Sequence, residues 1–124
     1  MPASYETHRK QLELILRAWG MPEAAAVSTA EIMSWADLHG IDTHGISMVP
    51  PYDERRRGGK IDMKAEPVVS RETPVSALVD GRGGLGHSNA RRAMDLAIAK
   101  ARTSGIGALR RTHACVHGTS PPTF

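Results

Sequence analysis

Cysteine is almost absent: Cys115 is the single thiol in 124 residues. One cysteine closes no intramolecular disulfide and excludes a CxxC metal site; a lone thiol usually packs as a small hydrophobe. Aromatic residues are scarce at 4%, so a core must be assembled from Leu, Ile, Val, Met and abundant Ala. Such a core is less sharply specified than one built on rings. No apolar run approaches the ~18 residues that a membrane span requires. The polar start MPASYETHRKQLE lacks the apolar stretch of a secretory signal. Charge of one sign is not in large excess either, the net value being +3. Arg55-Arg56-Arg57, Arg91-Arg92 and Arg110-Arg111 are clustered, but acids are interspersed and stacking aromatics do not accompany them, unlike a nucleic-acid footprint. These absences predict a cytoplasmic chain with no membrane or nucleic-acid partner, and with one modest domain's worth of core.

What is present is a clear succession of elements. Leu12, Ile15, Leu16 and Trp19 recur at helical spacing, predicting a first helix over 4–19 that Gly20 ends. Pro22 suits the first position of a second helix, which runs through Ala24-Ala25-Ala26 to about Leu38 and stops at Gly40. Ser28-Thr29-Ala30-Glu31 matches a capping box that would break this helix, but one continuous helix uses the alanine run better. A third helix is expected from Pro50 or Pro51 to Arg57. Val68–Arg71 and Val75–Val79 read as strands. A fourth helix from about Ser88 carries the stripe Ala93, Met94, Ala97, Ile98 and Ala101, and Gly105 caps it. Ile106–Leu109 reads as a short buried strand. Residues 113–124 show no periodicity.

The stretch VDGRGGLG places Gly81, Gly83 and Gly86 at the G-x-G-x-x-G spacing of a dinucleotide-binding loop. That motif also needs an acidic residue at the end of the following strand, where this chain has Arg110 and Arg111. Arginines there could hold the 2′-phosphate of NADP. Yet Asp80 precedes the first glycine and three helices precede the unit, so a glycine-rich turn from strand to helix is the preferred reading.

The chemically dense stretch is Ala36-Asp37-Leu38-His39-Gly40-Ile41-Asp42-Thr43-His44-Gly45-Ile46. A histidine flanked by Asp, Thr and glycine can exchange a proton near neutral pH, its ordinary pKa being about 6.5. The plainer alternative is a turn capped by Asp42 and Thr43. His39 and His44, five apart, share no helical face and lack an HExxH context or a third ligand, so no metal site is expected.

The string ADLHGIDTHGISMVPPYDERRRGGKI resembles the malate/L-lactate dehydrogenase family, whose fold is not the Rossmann fold. The resemblance rests on Ala36, Asp37, Gly40, Asp42, Thr43, His44, Gly45, Pro50 and Tyr52, and on VDGRGGLG with the helix and GIGAL that follow. It implies hydride transfer between NAD or NADP and a 2-keto acid or related cyclic imine, with His44 as proton donor. Asp42, Thr43 and Gly45 would then shape the substrate loop. Met48 stands where many members carry an arginine suited to a substrate carboxylate. Val116-His117-Gly118 lies near the family's His-Phe-Gly register, making His117 a candidate lining residue. The family implies a homodimer and a chain more than twice this length, so a truncated or frameshifted chain without activity of its own is expected.

The expected architecture is therefore α/β, mixed α+β within these residues. A helical subdomain (1–60) carries the DTHG loop, the start of a mixed-sheet cofactor domain (61–112) follows, and 113–124 form an irregular tail. The alternative function is a small non-catalytic α/β interaction domain that dimerises through its first two helices; a basic nucleic-acid module ranks third.

Overall fold

The computed structural model describes residues 3–112. The chain divides into two compact units, Met1–Lys64 and Ala65–Phe124. The first is helical. Helix α1 (Tyr5–Ala18) starts at Ser4, whose hydroxyl accepts a hydrogen bond from the Thr7 amide at 3.2 Å, and Glu6 lies in its first turn where the helix dipole favours an acid. The Arg9 guanidinium hydrogen-bonded to Glu6 holds that carboxyl below its ordinary range. Leu12 and Leu16 point inward from α1, as their spacing predicts, and are essentially solvent-free.

Helix α2 (Glu23–Leu38) packs against α1. It runs without a break through Ser28, and Pro22 precedes it as the cap residue rather than opening its first turn. Its buried side chains, Ala26, Thr29, Ala30, Met33, Ser34 and Ala36, are mostly small. Small residues let two helix backbones approach closely, so a core can form here with few aromatics. Helix α3 (Val49–Arg57) buries Tyr52 to 1% exposure. The Arg56 guanidinium lies 4.9 Å from the centre of the Trp19 ring and pairs with Asp53 at 2.6 Å. Truncating Leu12 to alanine leaves a cavity at a fully buried site, and is expected to cost about 2–5 kcal/mol, read as a lowered urea midpoint.

The second unit holds a three-stranded mixed sheet in the order β1-β2-β3, where β1 is Val68–Glu72, β2 is Ser76–Asp80 and β3 is Ala108–Thr112. β1 and β2 are antiparallel, with Val69 opposite Val79 and an irregularity between Val69 and Arg71. β2 and β3 are parallel, with Leu78 opposite Arg110. Parallel neighbours need a crossover, and helix α4 (Gly86–Ser104) supplies it, packing on both strands. β2 alternates as its pattern requires, with Ala77 and Val79 buried on one face.

Three sequence expectations are corrected in this unit. Helix α4 begins at Gly86 rather than near Ser88, because the turn closes sooner. The last strand is Ala108–Thr112 rather than Ile106–Leu109. Gly105 caps α4 in the left-handed region (φ 78°), which only glycine adopts without strain, and the chain needs Ile106 and Gly107 to regain the sheet. The predicted apolar stripe of α4 is only partly covered: Ala93 is buried, whereas Met94 and Ile98 are exposed.

Candidate active site

The DTHG loop is set by the end of α2. The Ile41 amide donates to the Ala36 carbonyl at 2.8 Å, so the chain folds back over the last helical turn. Two short 3-10 turns follow, Asp42–His44 and Ile46–Met48, and the second runs directly into α3. The His44 amide donates to Ile41 O at 3.0 Å and the Met48 amide to Gly45 O at 3.0 Å. The Ser47 hydroxyl donates to the Asp42 carbonyl. Local bonds thus hold the backbone of this loop at Ile41, His44 and Met48 before any ligand is considered.

Asp37 joins the loop to the helices. Its Oδ2 accepts a hydrogen bond from the Ile46 amide at 2.8 Å and lies 2.7 Å from His8 Nε2 on α1. Gly45 is buried against the same carboxylate, and a Cβ at that position would overlap the Asp37 side chain. The φ of Gly45 is −103°, so space rather than a left-handed backbone demands glycine there.

His44 itself is exposed, and the Thr43 hydroxyl lies 2.7 Å from its Nδ1. The loop thus brings Thr43 and His44 together directly. Gly45 meets Asp37 instead, and Asp42 enters through its backbone carbonyl. His39 is engaged elsewhere: its Nδ1 donates to the Trp35 carbonyl at 2.8 Å, and its ring stacks on Trp35 with centroids 4.0 Å apart. Among the described residues no group of three or more His, Cys, Asp and Glu side chains is placed to hold a metal ion. His117 lies outside the described residues. Among the described residues, no helix is long and apolar enough to cross a membrane.

Sequence reasoning quoted Asp37 in the motif without giving it a role at the site, and missed His8. Asp37 left one local signal: an acid in the last turn of a helix, where the dipole disfavours it and no basic residue offsets it. His8 left none, because 29 residues separate it from its partner.

The glycine loop is decided by its amides. Gly81 N donates to Thr112 O at 2.8 Å, Arg82 N to Asp80 Oδ1 at 2.9 Å and Gly84 N to Gly81 O at 2.9 Å. A pyrophosphate cradle needs such amides to face the ligand. Here the Gly81, Arg82 and Gly84 amides are consumed internally, so these three do not serve a ligand. Arg111, considered above for a 2′-phosphate, donates instead to the Gly86 carbonyl at 2.7 Å. VDGRGGLG serves as a strand-to-helix turn.

A family model described as malate/L-lactate dehydrogenase matches residues 3–120. The chain belongs to the malate/L-lactate dehydrogenase family. The L-sulfolactate dehydrogenase of Methanocaldococcus jannaschii is 36% identical over 109 residues, covering 88% of this chain and 32% of the relative. The L-sulfolactate dehydrogenase of Methanothermobacter thermautotrophicus is 39% identical over 107 residues, covering 86% and 31%. Among solved structures, the malate dehydrogenase of Pyrococcus horikoshii superposes with a TM-score of 0.88 at 30% identity, over 95% of this chain and 34% of that one. The chain spans about a third of the length of these dehydrogenases. Its mixed helical and sheet architecture is therefore that of the dehydrogenase family, and membership implies a nicotinamide cofactor.

Proposed function

We propose that these residues supply the proton-donating side of a reductase that acts on a 2-keto acid, or a related imine, with NADH or NADPH. The observation that supports this most is the 2.7 Å hydrogen bond between Thr43 Oγ1 and His44 Nδ1, in a loop whose His44 and Met48 amides are bonded locally. A hydroxyl both donates and accepts. When the imidazole is charged, Nδ1–H donates to Thr43, and Nε2 carries the proton to be given. Once that proton is given, the neutral ring keeps its other proton on Nδ1 and still donates to Thr43; the Nε2–H tautomer would instead accept from the hydroxyl. Thr43 therefore keeps the ring oriented through both proton states. Negative charge that develops on a substrate carbonyl oxygen is then quenched from Nε2.

A bound nicotinamide would supply the hydride, and no step at that group is assigned to residues 3–112. The lengths of the relatives place most of a whole dehydrogenase outside the matched region, and the cofactor's contacts are proposed to lie there. Met48 cannot form a bidentate pair with a substrate carboxylate, so a carboxylate-binding arginine must come from elsewhere, with Arg55 of α3 as one candidate. A homodimer is the proposed assembly of the whole enzyme.

The reading is tested with a chimaera in which residues 3–112 replace the corresponding third of the M. jannaschii sulfolactate dehydrogenase. Oxidation of NADH and NADPH is followed with pyruvate, oxaloacetate and a cyclic imine. Turnover on one of them supports the reading, and a folded but inert chimaera contradicts it. The 124-residue chain alone is expected to oxidise neither nucleotide, because the cofactor's contacts are proposed to lie outside residues 3–112 and the Gly81, Arg82 and Gly84 amides are engaged internally. Robust turnover by the isolated chain would overturn that assignment.

A further inference from the structure

Asp37 breaks a local rule. It sits in the last turn of α2, at the negative end of the helix dipole, and that turn carries no basic residue. A carboxylate at such a place weakens its own helix unless something else holds it. Two groups do so: the Ile46 amide, 2.8 Å from Oδ2, and His8 Nε2, 2.7 Å from the same atom. Both bonds join the charge to groups far along the chain, and hydrogen bonds to a charged acceptor are stronger than neutral ones. The pair is four-fifths buried, with 21% and 19% of the His8 and Asp37 side chains exposed, so solvent screens it only partly. Sequence departs from local preference most often where a site demands it.

The position of this anchor matters. The Ile46 amide lies two residues beyond His44, and Gly45 between them is pressed against the Asp37 carboxylate. The φ and ψ of Gly45, and with them the peptide that follows His44, are thus fixed by a side chain from α2 that is itself held from α1. On the other side, the His44 amide is tied to Ile41 O. Backbone on both sides of the imidazole is therefore pinned, and a pinned backbone restricts the χ1 wells open to the side chain.

We infer that Asp37, buttressed by His8, is a positioning residue for His44. It sets the orientation in which Nδ1 of the imidazole meets Thr43, and hence that Nε2 is the ring nitrogen turned away from Thr43 and left to give a proton. This rests on the proton-donor reading for its catalytic meaning. The orientation itself can be measured without substrate or cofactor.

The test is nuclear magnetic resonance on the 124-residue chain, which reads the ring nitrogens of His44 and the hydrogen exchange of the Ile46 amide. The parent chain is expected to show two well-separated His44 nitrogen shifts, those of one dominant neutral tautomer, and a protected Ile46 amide. Asp37→Ala is expected to merge the two nitrogen shifts toward the tautomer average and to speed Ile46 exchange by about tenfold or more. Asp37→Asn retains an acceptor of the same shape and is expected to restore most of the separation. His8→Ala is expected to produce the same changes at smaller size. It covers the case in which Asp37→Ala fails to fold, since it removes one side chain from α1 and leaves the Asp37 bond to the Ile46 amide in place. Faster Ile46 exchange with unchanged His44 nitrogen shifts would make Asp37 a structural anchor alone and overturn the inference. Failure of the proton-donor reading looks different: the ring signature is intact, yet chimaera turnover does not depend on His44.

Discussion

Gly45→Ala in the chimaera is expected to cost at least about a hundredfold in kcat, while the chain stays folded. A methyl group at this position falls within the Asp37 carboxylate, and neither side can yield freely. Asp37 is held by His8 and by the Ile46 amide, whereas Gly45 lies between two short 3-10 turns in which the His44 and Met48 amides are already bonded. The added carbon must break the Asp37 bond to Ile46 or swing the 42–48 loop away from α2. Either way His44 moves, and displacement of a catalytic group by about 1 Å costs on the order of a hundredfold in rate. The buried core of Leu12, Leu16, Met33 and Tyr52 is untouched, so helical circular dichroism should stay close to the parent's. Steady-state kinetics beside the dichroism spectrum checks this. Unchanged kcat would show that the loop tolerates a side chain and that the contact with Asp37 is not constraining.

His44→Gln removes the proton that the account assigns to catalysis and leaves a side chain of similar reach. The expected loss in kcat is about 10²–10⁴-fold, the range that general acid catalysis contributes. Nucleotide affinity should be unaffected, because residues 3–112 are given no part in holding it. His44 is exposed and its ring bonds to Thr43, so the substitution removes no packed core atoms. A fall in activity therefore cannot be assigned to a lost core. Removing only the hydroxyl, as in Thr43→Val, should give a smaller loss, since the ring keeps its proton and loses an orienting partner.

Much of this architecture is legible in the amino-acid order, because local forces dominate where it is. Leu12 and Leu16 announce α1 by spacing, the alanine run and Gly40 delimit α2, and the Val75–Val79 run followed by glycines announces β2 and the turn into α4. The misplacements are physical too. Ile106 is apolar enough to read as strand, yet a chain leaving a left-handed Gly105 cannot enter the sheet at once. Met94 and Ile98 carry core-like letters on an exposed face, and periodicity cannot say whether a stripe is covered. At the site, Thr43, His44 and Gly45 are contiguous in sequence, so one short motif names all three. The pairing of Asp37 with His8 is not legible there, because it depends on the packing of α1 on α2, which brings residues 29 positions apart within 2.7 Å. The glycine pattern Gly81, Gly83, Gly86 fits a dinucleotide loop by letter. Its Gly81, Arg82 and Gly84 amides turn instead toward Thr112, Asp80 and Gly81, which no letter pattern announces.

The central claim is that His44 gives the proton in a nicotinamide-dependent reduction. The most direct measurement is the rate of NADH or NADPH oxidation by the chimaera and by its His44→Gln variant, side by side at saturating substrate, with nucleotide affinity determined for both. The account predicts turnover in the first, a loss of about 10²–10⁴-fold in the second and equal nucleotide affinity. Equal turnover in the two proteins would contradict it.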